Sequence, residues 1–406
     1  MSDQQVAHSF TNRQTNIMAV CAFLIIPMSG LAVDIYVPSL PTVAKYFHIS
    51  EALTQVTVTI FLIAYALSQF VAGNIVDAYG RRKITITSLL AFSLFSFCIP
   101  QIDSIGMLLL LRFLQGLCVG FFMVSKRAII VDIYSGIKLQ SMLIYTTIAW
   151  SLGPIIAPGI GGYLQSFFGW KSCFYFLAAY SFTLALAELT LVPETIKNKT
   201  ALNFINIKSA YSEILSNGRF NLGVLSLGFS YAMIMLFNLL GSFLIQVTLG
   251  YTPIEYGHYA LVMGFAWMCG GLVNRRLLSL ALMPKMRGAI MSAMSLALIM
   301  FLLGLKSENI YTILIPAFLM HCLAGFIFNN YFAYCLSMFP RYAGTAGGIA
   351  GSGAYVVTFV TSSILAGVLP SSAVTSLAAG YFILAIACWM LYKMINSRIY
   401  SSRSQF

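Results

Sequence analysis

Charge is what this sequence has least of. Of its 406 residues only 8% are Asp, Glu, Lys or Arg, and just 11 are acidic. A water-soluble domain carries roughly 25% charged residues, so there is too little charge here to cover a soluble body of this length. That scarcity excludes a soluble enzyme, a disordered chain and a nucleic-acid-binding protein, despite a formal net charge of +12. Paired cysteines are missing too. The eight Cys fall inside apolar runs with no CxxC pair and read as small buried hydrophobes, so neither a disulfide nor a metal site is expected. There is no HExxH, no phosphate-binding glycine loop and no Ser/His dyad at usable spacing. The chain is therefore not read as an enzyme, and no cofactor is expected.

Apolar residues are abundant, at 59%. A bilayer is the solvent that suits such a chain, at about 20 apolar residues per crossing. Twelve runs serve as spans: 16–38, 52–76, 84–101, 104–128, 138–165, 170–192, 220–247, 255–275, 286–305, 309–337, 343–368 and 373–396. No β pattern interrupts them, and the fold class expected is an all-α membrane protein. The longest polar interruption, about Pro193 to Arg219, divides the chain into an N-terminal six-helix bundle at 1–192, a linker at 193–219 and a C-terminal six-helix bundle at 220–406. Of the 23 Lys and Arg, Lys45, Lys171 and Lys306 fall on one side, Arg112 inside the membrane, and the remaining 19 on the other side. By the positive-inside rule the linker and both termini are cytoplasmic. For that reason Asn198-Lys199-Thr200 is discounted as a glycosylation site. The first apolar run follows a polar N-terminus without a small-residue cleavage site, and reads as a retained helix.

Between spans 2 and 3 lies Gly73-Asn-Ile-Val-Asp77-Ala-Tyr-Gly80-Arg81-Arg82-Lys83. Gly73 would let another helix approach, Gly80 permits a tight turn, and the basic trio holds the loop in the cytoplasm. A carboxylate at the membrane face suits a helix N-terminus. Asp77 is therefore expected to meet the start of span 11 near Gly344, clamping the inner gate while the cavity opens outward. In span 4, Arg112 lies roughly 12 Å deep at 1.5 Å per residue, a costly position unless it is paired or hydrated. Asp34 is its expected partner, directly or through water, at a depth of roughly 7–8 Å if span 1 surfaces near Ser39. The competing reading is an interfacial Asp and a snorkelling Arg. Arg127 and Asp132, at the inner end of span 4, read as an inner-gate ion pair with Asp77 or Arg81. Span 5 carries Gly153-Pro154-Ile-Ile-Ala-Pro158-Gly159-Ile-Gly161-Gly162, whose prolines bend the helix and whose glycines allow close packing. His321 is the one deep ionisable group of the second half, more often structural than a proton carrier. Glu188 reads as an interfacial acid facing the linker lysines.

The loop after span 2 resembles the signature loop of the major facilitator superfamily, with Ile75 for the usual Leu and Ala78 for a basic residue. Asp34-Ile-Tyr36-Val-Pro38-Ser-Leu-Pro41 is similar to the D-x-Y-x-P-x-x-P stretch of the Bcr/CflA branch of drug:proton antiporters. Arg127-Ala-Ile-Ile-Val-Asp132 resembles that branch's R-A-x-x-R-D segment, with Val131 at the second basic position. The span 5 run resembles the motif that marks antiporters. These likenesses cover the first half well. The second half has only a degenerate copy of the loop, Gly271 with Asn274-Arg275-Arg276.

The resemblance implies the major facilitator fold, twelve transmembrane helices in two six-helix bundles with the substrate site between them at mid-membrane. The activity implied is proton-coupled export (antiport) of small amphiphilic compounds and drugs by alternating access, or export of a siderophore or other polar metabolite on the same fold. A carboxyl keeps its proton away from water and releases it beside a cation, so Asp34 is the expected proton carrier and Arg112 the group that organises it. Candidate cavity residues are Tyr36, Tyr65, Gln69, Phe122, Trp150, Phe237, Asn238, His321, Asn329 and Tyr331. Expected partners are a small-molecule substrate, protons and the lipid bilayer. The protein is expected to work as a monomer in a bacterial inner membrane.

Overall fold

A bilayer offers the backbone no hydrogen-bond partners, so apolar runs of this length must satisfy their own N–H and C=O groups as helices. The computed structural model describes residues 10–196, 211–277, 279–339 and 343–403, and among them it contains no strand. The Asn198 tripeptide and the rest of 197–210 lie outside the described residues.

Span 1 is built from three pieces: α1 (Asn12–Ile25), α2 (Met28–Asp34) and, after a 3-10 turn at Val37–Ser39, α3 (Leu40–Phe47). Then follow α4 (Glu51–Tyr79), α5 (Arg81–Cys98), α6 (Ile105–Ile133), α7 (Gly136–Phe168), α8 (Lys171–Leu191), a short α9 (211–216) and α10 (Gly218–Leu236). Two π-helical turns, Phe237–Gly241 and Leu244–Thr248, prolong α10. The chain continues through α11 (Pro253–Arg276), α12 (Leu282–Lys306), α13 (Ile310–Ser337), α14 (Ala343–Val368) and α15 (Val374–Arg403). Eleven of these elements, span 1 counted as one, are long and apolar enough to cross a membrane. Of the twelve expected spans, α11 has the length, 24 residues, but falls short of the others in apolar character. Polar side chains set several starts: Ser50 caps α4, Asn217 caps α10, Asn309 caps α13, and Thr252 with Glu255 forms a capping box on α11.

Span 1 does not surface near Ser39. Pro38 and Pro41 each sit in the first turn of a helical piece, where a missing N–H costs nothing. The helix restarts after each break and runs on to Phe47. Asp34 is thirteen residues from that end, roughly 20 Å at 1.5 Å per residue, and not the five residues that a helix ending at Ser39 would leave.

In the first half α6 packs on α4 and α5, and α5 on α8. In the second, α10 packs on α13, α14 and α15, and α12 on α13 and α15. The halves meet where α7 lies on α11 and α4 on α14. Polar links across this seam gather at the end remote from the termini. Gln55 Nε2 donates to the Leu239 carbonyl (3.1 Å) and to Ser371 Oγ (3.2 Å), and Ser363 Oγ to Thr59 Oγ1 (3.0 Å). Tyr163 Oη and His258 Nε2 are 3.2 Å apart. Toward the end bearing the termini, Gly73 on α4 and Gly348 and Gly351 on α14 face open space among the described residues. The described polar links thus join the two halves at the end remote from the termini.

A buried ion pair fastens α6 to α8 within the first half. Lys126 Nζ lies 2.6 Å from Glu188 Oε1, and neither side chain has any exposed surface. Glu188 is therefore not an interfacial acid facing the linker; it points inward to a cation 62 residues earlier.

Candidate functional site

Span 1 breaks where Asp34 ends α2, and span 7 turns π-helical where Asn238 sits. π-turns are uncommon and recur at functional positions. The two irregularities face each other. Asn238 Nδ2 donates to Asp34 Oδ1 at 2.8 Å, and both side chains are buried, with Asp34 3% exposed. Around them is a narrow cavity of about 40 Å³. Its wall includes Asp34, Trp150, Ser151, Pro154 and Pro158 from the first half, and Tyr231, Asn238, Met263, Trp267 and His321 from the second. That volume holds a water but no cargo, in keeping with the closed seam on one side.

Arg112 is fully buried behind this wall. Its Nε donates to the Thr57 carbonyl (3.1 Å), and its Nη1 to the Ala32 carbonyl and to Gln115 Oε1 (both 3.0 Å). The guanidinium lies 4.5 Å from the Phe61 ring centroid, 5.5 Å from Tyr36 and 5.9 Å from Phe174, an aromatic box suited to a cation. Nη2 has no hydrogen-bond partner among the described residues. Of the two contacts expected with Asp34, direct or through water, the direct ion pair is not found among the described residues. The Ala32 carbonyl, near the break in span 1, takes the donor instead. A snorkelling Arg112 is likewise not what the structure contains.

The other residues singled out from sequence scatter. Trp150, Asn238 and His321 line the cavity with Asp34. Tyr65 stacks obliquely on Tyr355 across the seam at 4.9 Å, and Phe237 packs edge-on to His321 at 5.4 Å. Tyr36 accepts from Thr57 Oγ1 (3.3 Å), and Phe122 packs on Phe92 (6.1 Å) in the first-half core. Gln69 is buried on α4, and Tyr331 is buried in the second half. Asn329 returns its amide to the Gly325 carbonyl one turn earlier on its own helix (2.8 Å). Tyr231, Met263 and Trp267 were missed. Two of them are aromatics deep in spans, a signal too common in such a chain to single them out.

At the end bearing the termini, Arg81 Nε pairs with Asp132 Oδ2 at 3.0 Å and its Nη2 with Asp77 Oδ1 at 3.2 Å. Arg127 is exposed and takes no part. Asp77 is half exposed and, among the described residues, does not reach α14, while residues 340–342 ahead of that helix lie outside them. The clamp expected near Gly344 falls beside these residues, outside the described ones. The helix N-terminus that does hold a carboxylate is that of α5: Glu194 accepts from the backbone N–H of Arg81 (3.0 Å) and of Arg82 (3.2 Å). Gly80, at φ 104°, makes the turn between α4 and α5. A Cβ on Gly73 would meet nothing within 4 Å among the described residues. The span 5 glycines serve close approach. A Cβ on Gly153 would strike the Pro27 carbonyl, one on Gly161 the Ile35 carbonyl, and one on Gly162 the Pro253 carbonyl of α11. Adjacent glycines thus let α7 touch span 1 on one face and the other half on the next.

A bundle of membrane-spanning helices around one small central cavity, with a buried carboxylate at the seam, defines a multi-pass membrane transporter and not an enzyme. The chain belongs to the Major Facilitator Superfamily, whose sequence profile matches residues 22–362. It is 26% identical over 382 residues to a bicyclomycin resistance protein homolog of Haemophilus influenzae, covering 91% of this chain and 94% of that one. It is 25% identical over 391 residues to multidrug resistance protein D of Escherichia coli, covering 93% and 96%. Among solved structures, a bacterial homolog of the human lysosomal transporter Spinster, inward-facing and occupied, superposes with a TM-score of 0.74 at 13% identity, covering 96% of this chain and 98% of that one. A D-xylose-proton symporter does so at 0.73 and 14%, covering 92% and 97%. At such identities the superpositions establish the fold, the all-α major facilitator architecture.

Proposed function

We propose that this transporter is a proton-coupled exporter of small amphiphilic compounds, drugs among them, working by alternating access in a bacterial inner membrane with both termini in the cytoplasm. The observation that carries the reading is the Asp34 carboxylate, buried at the cavity wall, bonded across the seam to Asn238, with the Arg112 cation behind it. Opening toward either side changes its surroundings from closed to wet, and those surroundings favour opposite protonation states. Asp34 is the proton carrier, and a cationic or amphiphilic cargo competes for its charge. Arg112 holds the broken part of span 1, and its Nη2–H, without a partner among the described residues, donates to the carboxylate when the Asn238 bond is given up. The two bodies that rock are 1–192 and 220–406, joined by 193–219, and a single chain suffices. The resistance-protein names of the relatives support a drug-like cargo.

The test is exchange in proteoliposomes. Asp34→Asn is expected to bind cargo yet lose pH-gradient-driven exchange; full retention of that exchange removes Asp34 from the mechanism. One observation favours a second reading, export of a siderophore or other polar metabolite: the second-half wall offers only neutral polar groups, Tyr231, Asn238 and His321, and no acid. Substrate-dependent proton release from purified protein, measured with a lipophilic cation and with a carboxylate siderophore, separates the two.

A further inference from the structure

A second, larger recess lies away from the seam, between α11, α12 and α13. It has a volume of about 800 Å³ and opens broadly to the outside of the helix bundle. It runs from Leu277, Leu280 and Lys285 at the end bearing the termini to Ile299 and Leu319 in mid-span. Lys285 and Ile299 are fourteen residues apart on one helix, roughly 21 Å, more than the roughly 15 Å that one leaflet contributes to a 30 Å hydrocarbon core. The walls are apolar apart from small polar groups such as Ser292 and Ser295, and Lys285 is the only charged residue among those lining it.

Two features at the mouth call for an anion. Lys285 is half-buried and has neither an ion pair nor a hydrogen bond among the described residues. It stands in the first turn of α12, where Pro284 has no N–H and Ala281 supplies no side-chain acceptor to the N–H groups of Leu282, Met283 and Lys285. Nothing in the second half can neutralise this corner. Its only acids are Glu255 and Glu308, both at the opposite ends of their spans, while Arg275, Arg276 and Arg287 are near in sequence and exposed.

We propose that this groove is a binding site for one anionic diacyl phospholipid, an acyl chain lying along α12 and the phosphate held by the Lys285 ammonium with the N–H groups of Leu282, Met283 and Lys285. A helix N-terminus with an adjacent cation suits a phosphate, and basic pockets between spans bind anionic headgroups. The site is independent of the cargo cavity and of the proposal for Asp34.

The experiment uses the full chain, delipidated in neutral detergent, with thermal unfolding and native mass spectrometry as readouts. Phosphatidylglycerol is expected to raise the unfolding midpoint and to remain bound as one copy, while phosphatidylcholine does neither. Lys285→Gln weakens phosphatidylglycerol binding roughly fivefold, the factor for one surface cation, and Lys285→Arg retains it. Ser295→Phe, an exposed position that fills the groove without changing charge, removes the effect as well. Equal stabilisation by phosphatidylcholine, an undiminished effect in Lys285→Gln or Ser295→Phe, or the same shift from glycerol phosphate alone would each overturn the proposal.

Discussion

Asn238 donates a 2.8 Å hydrogen bond to Asp34, joining the π-helical turn of span 7 to the broken stretch of span 1. Hydrogen bonds to charged groups are worth about 1.5–3 kcal/mol. Asn238→Leu is therefore expected to loosen the closed end: amide exchange across 28–39 and 237–248 should speed up, and cargo exchange should fall roughly tenfold or more. Unchanged exchange in both segments would show that the seam is held by other links.

The Lys126–Glu188 pair gives opposite expectations for single and double variants. Removing one partner leaves an uncompensated buried charge, at a cost of about 3–5 kcal/mol. Replacing both by apolar residues of similar volume is neutral or stabilising. Lys126→Met and Glu188→Leu should each lower the unfolding midpoint in detergent, and the double variant should recover it. A double variant no better than the singles would mean that the pair does more than fasten α6 to α8.

Glu194 closes the N-terminus of α5 with both carboxylate oxygens. Loss of a cap costs about 1 kcal/mol. Glu194→Ala should show that loss in unfolding, and Glu194→Gln, which keeps an acceptor but not the charge, should show part of it. Equal stability of both variants and the parent would argue that solvent already serves these N–H groups.

Two glycine substitutions should separate packing from turn geometry. Gly161→Ala places a methyl against the Ile35 backbone, an overpacking that typically costs about 1–3 kcal/mol, and should impair exchange while the protein still inserts. Gly73→Ala meets open space in this state. If Gly73→Ala nonetheless abolishes exchange, the shut form of that end must bring α14 against it.

Sequence alone made the apolar helical spans and the family visible, because a bilayer forces apolar runs to be helices and few charges interrupt them. Polar residues inside such runs also stand out, which is how Asp34, Arg112, Trp150, Asn238 and His321 came to notice. Pairings were less legible. Lys126 and Glu188 meet across 62 residues, and each alone looks like an ordinary charge near a helix end. Arg112 was matched to the available acid, whereas two of its three acceptors are main-chain carbonyls that no side-chain inventory records. Aromatics were hardest to sort. Tyr36 and Phe122 went to the core and Tyr231 and Trp267 to the cavity, because which way each helix is turned about its axis depends on neighbours, not on composition.

The hold of Arg112 on the Ala32 and Thr57 carbonyls has an evolutionary corollary. Main-chain oxygens survive almost any replacement, so the guanidinium itself makes no demand on the side chains at 32 and 57, which answer only to their burial and, at Thr57, to the bond with Tyr36. A search for correlated changes would then find an immutable arginine with no counterpart varying alongside it at either position, although it grips two helices at once.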